Sequence, residues 1–157
     1  SRASLKPSIA ASFAFLIASA TAAFGQACPT PKAMSFRVEN QILRDVRGFT
    51  QGLEVRDDKL FESTGLIAGD TRLTTIDPKS GKVTVLSNFG KTFFGEGLTI
   101  LKDRIYQLSW KEHQAFVYDL NGKPIRRMNY PRDGWGLTND GVNLIATDGS
   151  EIGRAHV

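Results

Sequence analysis

The 157-residue chain contains one cysteine, Cys28, and two histidines, His113 and His156. A single thiol allows neither an internal disulfide framework nor a Cys-based zinc cluster. Two imidazoles cannot assemble a His-rich metal site without carboxylate help. No Cys- or His-based metal cluster is therefore expected, and nothing in these counts calls for a cofactor. After residue 30 the apolar residues never recur with the 3.6-residue period of an amphipathic helix, which argues against a helical fold. An apolar run of the roughly 20 residues needed for a spanning helix is also missing, so no stable membrane anchor is expected. Excess charge is small. The formal net charge is +4, but Arg2, Lys6, Arg154 and Glu151 lie in terminal segments that read as separate from the fold. Leaving out those three cations and one anion reduces it to +2, which makes no case for a nucleic-acid partner.

The two ends carry their own signals. The sequence opens on Ser1, and the translated start is expected upstream. Residues 1–27 read as a secretory signal: Arg2 and Lys6 precede the uncharged, small-residue-rich stretch Ile9 to Ala23. Ala20-Thr21-Ala22 and Ala23-Phe24-Gly25 both offer small residues at the positions a signal peptidase reads. The expected destination is the periplasm or the extracellular space. Gly25 stands where a lipid-attachment signal before Cys28 would carry a bulky aliphatic residue, so lipidation is the weaker reading. At the other end, residues 151–157 (Glu-Ile-Gly-Arg-Ala-His-Val) resemble a translated sequencing adapter. His156 is therefore left out of any catalytic argument.

Between the ends, short β-branched and aromatic runs alternate with Gly, Asp, Asn and Pro, the pattern of strands and turns. Three segments align. Phe49-Thr50-Gln51-Gly52-Leu53, Phe94-Gly95-Glu96-Gly97-Leu98 and Gly134-Trp135-Gly136-Leu137 each lead into a strand, a turn and a returning strand. Second hairpins lie between them, around Asp77 to Lys82 and Asp119 to Lys123. Four strands per roughly 40–50 residues is the unit of a β-propeller blade. Residues 28–150 are thus expected to form an all-β, partial β-propeller of fewer than three blades, where closed propellers have about 4–8. A small β-sandwich with coincidental spacing is the alternative.

The runs Gly48-Phe49-Thr50-Gln51-Gly52-Leu53, Phe61-Glu62-Ser63-Thr64-Gly65, Phe94-Gly95-Glu96-Gly97-Leu98-Thr99, Tyr106-Gln107-Leu108-Ser109-Trp110 and Asp133-Gly134-Trp135-Gly136-Leu137 closely resemble glutaminyl-peptide cyclotransferases (glutamine cyclotransferases) of the plant and bacterial type. The resemblance covers about residues 36–150. It implies a five-bladed propeller that converts the N-terminal glutamine of peptides or proteins to pyroglutamate with release of ammonia, without a metal. It further implies a monomer when full length. Glu96 matches the family's catalytic acid, and Phe49, Gln51, Phe94, Trp110 and Trp135 match its substrate pocket. The family also draws an Asn, a further Trp and a Lys from later blades, and these have no counterpart here.

The residues suit that chemistry. A free α-amine has a pKa near 8, so a modest base generates the nucleophile, and one carboxyl can take a proton and return it to the leaving nitrogen. Glu96 lies between two glycines, which permit close approach by backbone or ligand. Gln51 can both donate to and accept from an amide, and the tryptophan faces can enclose a side chain and attract its amine. Glu62 lies in a strand but is not singled out by the resemblance. Asp77, Asp119 and Asp133 are expected to cap turn N–H groups. A non-catalytic binding propeller is the rival function. A calcium- or quinone-dependent propeller would need several converging carboxylates.

Overall fold

The computed structural model describes residues 30–150 and the backbone of residues 154–156. The expected export signal, Cys28 and residues 151–153 and 157 lie outside the described residues. Residues 38–157 form one compact unit, and all the strands belong to it. Among the described residues no helix is long and apolar enough to cross a membrane.

Two four-stranded antiparallel sheets and one three-stranded sheet follow one another along the chain. The first contains β1 (Phe49–Arg56), β2 (Lys59–Gly65), β3 (Arg72–Ile76) and β4 (Val83–Asn88). The second contains β5 (Gly95–Leu101), β6 (Arg104–Ser109), β7 (Gln114–Tyr118) and β8 (Pro124–Asn129). The third contains β9 (Leu137–Asn139), β10 (Leu144–Ala146) and β11 (Arg154–His156). Within each sheet the strands are paired in chain order. The segment at 154–156, read from sequence as lying outside the fold, pairs antiparallel with β10. Such pairing uses backbone groups and places few demands on side chains.

The turns repeat with the strands. Asp57 and Asp58, and one period later Lys102 and Asp103, have φ between 48° and 58°. These two-residue hairpin loops have the positive φ at both positions that matches the twist of the flanking strands. The second hairpins share another device. Asp77 accepts from the N–H of Lys79 and Ser80, and Asp119 from the N–H of Asn121 and Lys123, at 2.8–2.9 Å.

The first strands of successive sheets pack side by side, β1 on β5 and β5 on β9. Strands with a shared centre and sheets radiating outward are the construction of a β-propeller. The repeated glycine explains the close approach. A Cβ on Gly52 would lie 2.4 Å from the Leu98 nitrogen, and one on Gly97 2.4 Å from the Leu137 nitrogen and the Trp135 oxygen. Hydrogen bonds sew the same strands together. Thr99 donates to Glu54 at 2.5 Å, and Asn139 donates to the Thr99 hydroxyl at 2.7 Å. With a neighbour on each side, β5 is buried along its whole length, whereas β1 is buried only in part.

The core fills the seams between sheets. Phe61 and Leu73 from the first sheet meet Leu98, Ile100, Ile105 and Tyr118 from the second. Leu108, Ala115, Tyr130 and Ala146 form a smaller cluster towards the third. Burying each large apolar side chain contributes about 1.5–3 kcal/mol, so the seams hold the blades together. The outer strand β8 is largely exposed and carries Arg126 and Arg127. Charges on such an edge discourage pairing with another chain.

Candidate active site

The site forms at the end of the propeller where β1, β5 and β9 begin and β6 ends. Regular pairing breaks there. The β1–β2 register shifts between Thr50 and Gly52, and the β5–β6 register shifts between Gly95 and Leu98. Gln51 and Glu96 fall inside these irregularities. A bulge takes a residue out of the ladder and re-aims its side chain. The side chains of Gln51 and Glu96 meet across the seam, with Gln51 Nε2 donating to Glu96 Oε1 at 2.9 Å.

Glu96 is 4% exposed and, among the described residues, has no cation as a hydrogen-bond partner. Burial disfavours its charged form and pushes its pKa up to about 7. The donor on Gln51 opposes that rise, and the negative charge of Glu112 adds to it. A carboxyl titrating near neutrality can both accept and return a proton at working pH.

Around Glu96 the four expected aromatics form a continuous arc. Phe49 meets Phe94 edge-on at 6.4 Å, Phe94 meets Trp110 at 5.7 Å, and Trp110 meets Trp135 at 6.2 Å. Edge-to-face contacts at these separations are attractive. Phe94 leans on backbone, since a Cβ on Gly65 would lie 2.2 Å from its ring. Phe49 and Trp135, at the two ends of the arc, remain exposed. All six residues singled out in the sequence therefore come together at one end of the fold.

Other acids divide differently. Glu62 is fully buried and accepts from both terminal nitrogens of the Arg44 guanidinium at 2.6 and 2.7 Å, together with the hydroxyls of Thr50 and Thr74. It is consumed by an internal network. Asp77 and Asp119 cap turns as expected, but Asp133 does not. It accepts from Lys111 Nζ at 2.5 Å and contacts His113 Nε2 at 3.1 Å. Sequence reasoning also passed over Glu112, whose Oε1 accepts from the Phe94 N–H at 3.2 Å. The polar run Lys111-Glu112-His113 directly after Trp110 was the available signal.

A cavity also lies elsewhere in the fold. It measures about 500 Å³ between the second and third sheets and is lined by residues such as Tyr106, Leu108, Met128 and Leu144. No carboxylate lines it, and none of the six residues singled out in the sequence borders it.

Fold and site define a β-propeller that sets a buried carboxyl with a pKa of about 7 beside an arc of aromatic side chains. A model of the glutamine cyclotransferase family matches residues 10–155, and the chain belongs to that family. The glutaminyl-peptide cyclotransferase of Arabidopsis thaliana is 37% identical over 137 residues, covering 81% of this chain and 42% of its own length. The chain thus spans about two fifths of that curated relative. The crystal structure of Myxococcus xanthus glutaminyl cyclase superposes with a TM-score of 0.60 at 30% identity, covering 69% of this chain and 46% of that one. A chain of a nidogen/laminin complex matches at a TM-score of 0.52 and 18% identity over 64% of this chain and 39% of its own, a likeness of fold alone.

Proposed function

We propose that the full-length protein cyclises the N-terminal glutamine of peptides and proteins to pyroglutamate and releases ammonia, with Glu96 as the proton carrier and no metal. The observation that carries this reading is the buried Glu96 carboxyl, held by Gln51 at 2.9 Å and brought to a pKa of about 7 inside the aromatic arc. Family membership supports it, as do the activities in the names of the Arabidopsis and Myxococcus relatives.

In the proposed reaction the neutral α-amine attacks the carbonyl carbon of its own side-chain amide. A new C–N bond forms and closes the ring. The proton shed by the amine passes to the Glu96 carboxylate and then to the amide nitrogen. The old C–N bond breaks, and ammonia leaves. The aromatic walls favour the folded side chain over extended ones, which converts binding into proximity. Gln51 is placed to read the amide as well as to hold Glu96. Export, supported by the apolar stretch behind Arg2 and Lys6, and a monomeric state belong to the same proposal.

The test offers a glutamine-initiated peptide to the full-length protein and follows ammonia. The expected result is release that is unaffected by chelator and abolished in Glu96→Gln. No release would turn the reading towards a binding module. Loss on chelation would overturn the metal-free route, and retained turnover in Glu96→Gln would remove Glu96 from its role.

A further inference from the structure

The chain between β6 and β7 runs through Trp110, Lys111, Glu112 and His113, and each of these residues is tied down. Lys111 and His113 both reach Asp133, which lies two residues before Trp135. The Lys111 ammonium also stands 4.9 Å from the centre of the Trp110 ring. Glu112 accepts from the Phe94 N–H. His113 has φ of 55°, a left-handed conformation that costs a non-glycine residue energy and persists where surroundings impose it. Backbone bonds complete the attachment, from Gly134 N–H to the oxygens of Ser109 and Trp110 at 3.1 and 3.0 Å.

We propose that Asp133 is a positioning residue for the aromatic pocket: by bridging Lys111 and His113 across the seam between the second and third sheets, it fixes Trp135 against Trp110 and so sets affinity for the glutaminyl side chain. The substrate half of this statement rests on the function proposed above; the positioning half does not. An isolated surface ion pair has little effect. Asp133 differs because its side chain is only 28% exposed and each oxygen has its own partner. Those partners hold its carboxyl below the usual carboxylate range, with Lys111 the larger influence and His113 the smaller. The bridge also joins the two segments that carry the tryptophans. Without it, Trp135 keeps backbone attachment through Gly134 but loses the side-chain link that sets the 6.2 Å contact.

Two indoles held edge-to-face couple their transitions, and the resulting circular-dichroism couplet reports their geometry without any substrate. In the full-length protein the couplet is assigned as the part of the spectrum lost in Trp135→Phe. Asp133→Asn should remove most of it while the β-sheet signal remains. With glutaminyl peptide, the same variant should raise KM about tenfold, the scale of one charge-assisted contact, and leave kcat within about twofold. A second variant, Lys111→Gln combined with His113→Gln, keeps Asp133 but removes its partners and should do the same. It decides the matter if Asp133→Asn fails to fold. An intact couplet in a folded variant would overturn the positioning role. A lost couplet with unchanged KM would overturn the link to affinity. A wild type that keeps its couplet but releases no ammonia would fail the enzyme reading alone.

Discussion

Gln51 and Glu96 occupy the same bulged position in successive inner strands, 45 residues apart, and their side chains meet at 2.9 Å. The repeat that builds the blades therefore also brings a donor to the carboxyl proposed to carry the proton. Both residues stand outside the regular ladder, where a side chain can turn towards the opening instead of packing between sheets.

Removing the donor should move the titration. Gln51 donates to Glu96 and stabilises its charged form, so Gln51→Leu raises the Glu96 pKa further above 7. The acid limb of kcat/KM should shift upward by about one to two pH units, the scale of a hydrogen bond to a charged acceptor. A pH–rate profile with glutaminyl peptide measures it.

Glu96 should also cost stability. Its folded pKa of about 7 lies above the ordinary carboxyl value of 4.5, so between these values the folded state holds more protons than the unfolded state. Stability then falls as pH rises from 4.5 towards 7 and stays lower above it. Glu96→Gln, which cannot ionise, should match wild type in acid. Above neutrality it should exceed wild type by on the order of 2 kcal/mol. Denaturant midpoints across that range measure the difference.

The close approach of inner strands predicts a steric effect. A methyl group on Gly97 would meet the backbone of Trp135, Gly136 and Leu137, which cannot move aside as a side chain would. Gly97→Ala should destabilise the full-length protein by about 3 kcal/mol. Gly141→Ala meets nothing within 4 Å, so its effect arises only from the positive φ of 91°. It should be clearly milder in the same unfolding measurement.

Arg44 is the cation for a carboxylate with no exposure. Arg44→Met would leave Glu62 buried with only hydroxyls around it and should lower stability by about 3–5 kcal/mol. Adding Glu62→Gln should restore much of that loss, because the stranded charge is gone. Thermal unfolding of wild type, single and double variants forms the cycle that checks it.

Much of this was legible because a repeat states the same structure more than once. Phe49, Gln51 and Gly52 align with Phe94, Glu96 and Gly97, and aligned positions in neighbouring blades lie near each other. The strands followed from that, whereas the pocket aromatics were marked by the resemblance to family motifs, of which the repeat relates only Phe49 and Phe94. Contacts outside the repeat were not legible. Arg44 precedes the first blade, and no period connects it to Glu62. Asp133 resembled a turn cap because Asp, Gly and Pro cluster around it; its carboxylate turned instead to Lys111 and His113, 22 and 20 residues earlier. The bulges were hidden for another reason. A register shift depends on which strand lies alongside, and the pattern of a single strand does not contain that information.

Most of the pocket's contacts join residues from different sheets. Gln51 to Glu96 and Phe49 to Phe94 cross the first seam, and Trp110 to Trp135 crosses the second. The proposed activity would then be a property of docking, and no single blade would possess it. Amide exchange that reports one sheet parting from the next should follow the same temperature dependence as loss of turnover. Substitutions deep in a seam, such as Leu73→Ala, should weaken the proposed activity of the full-length protein from a position outside the pocket.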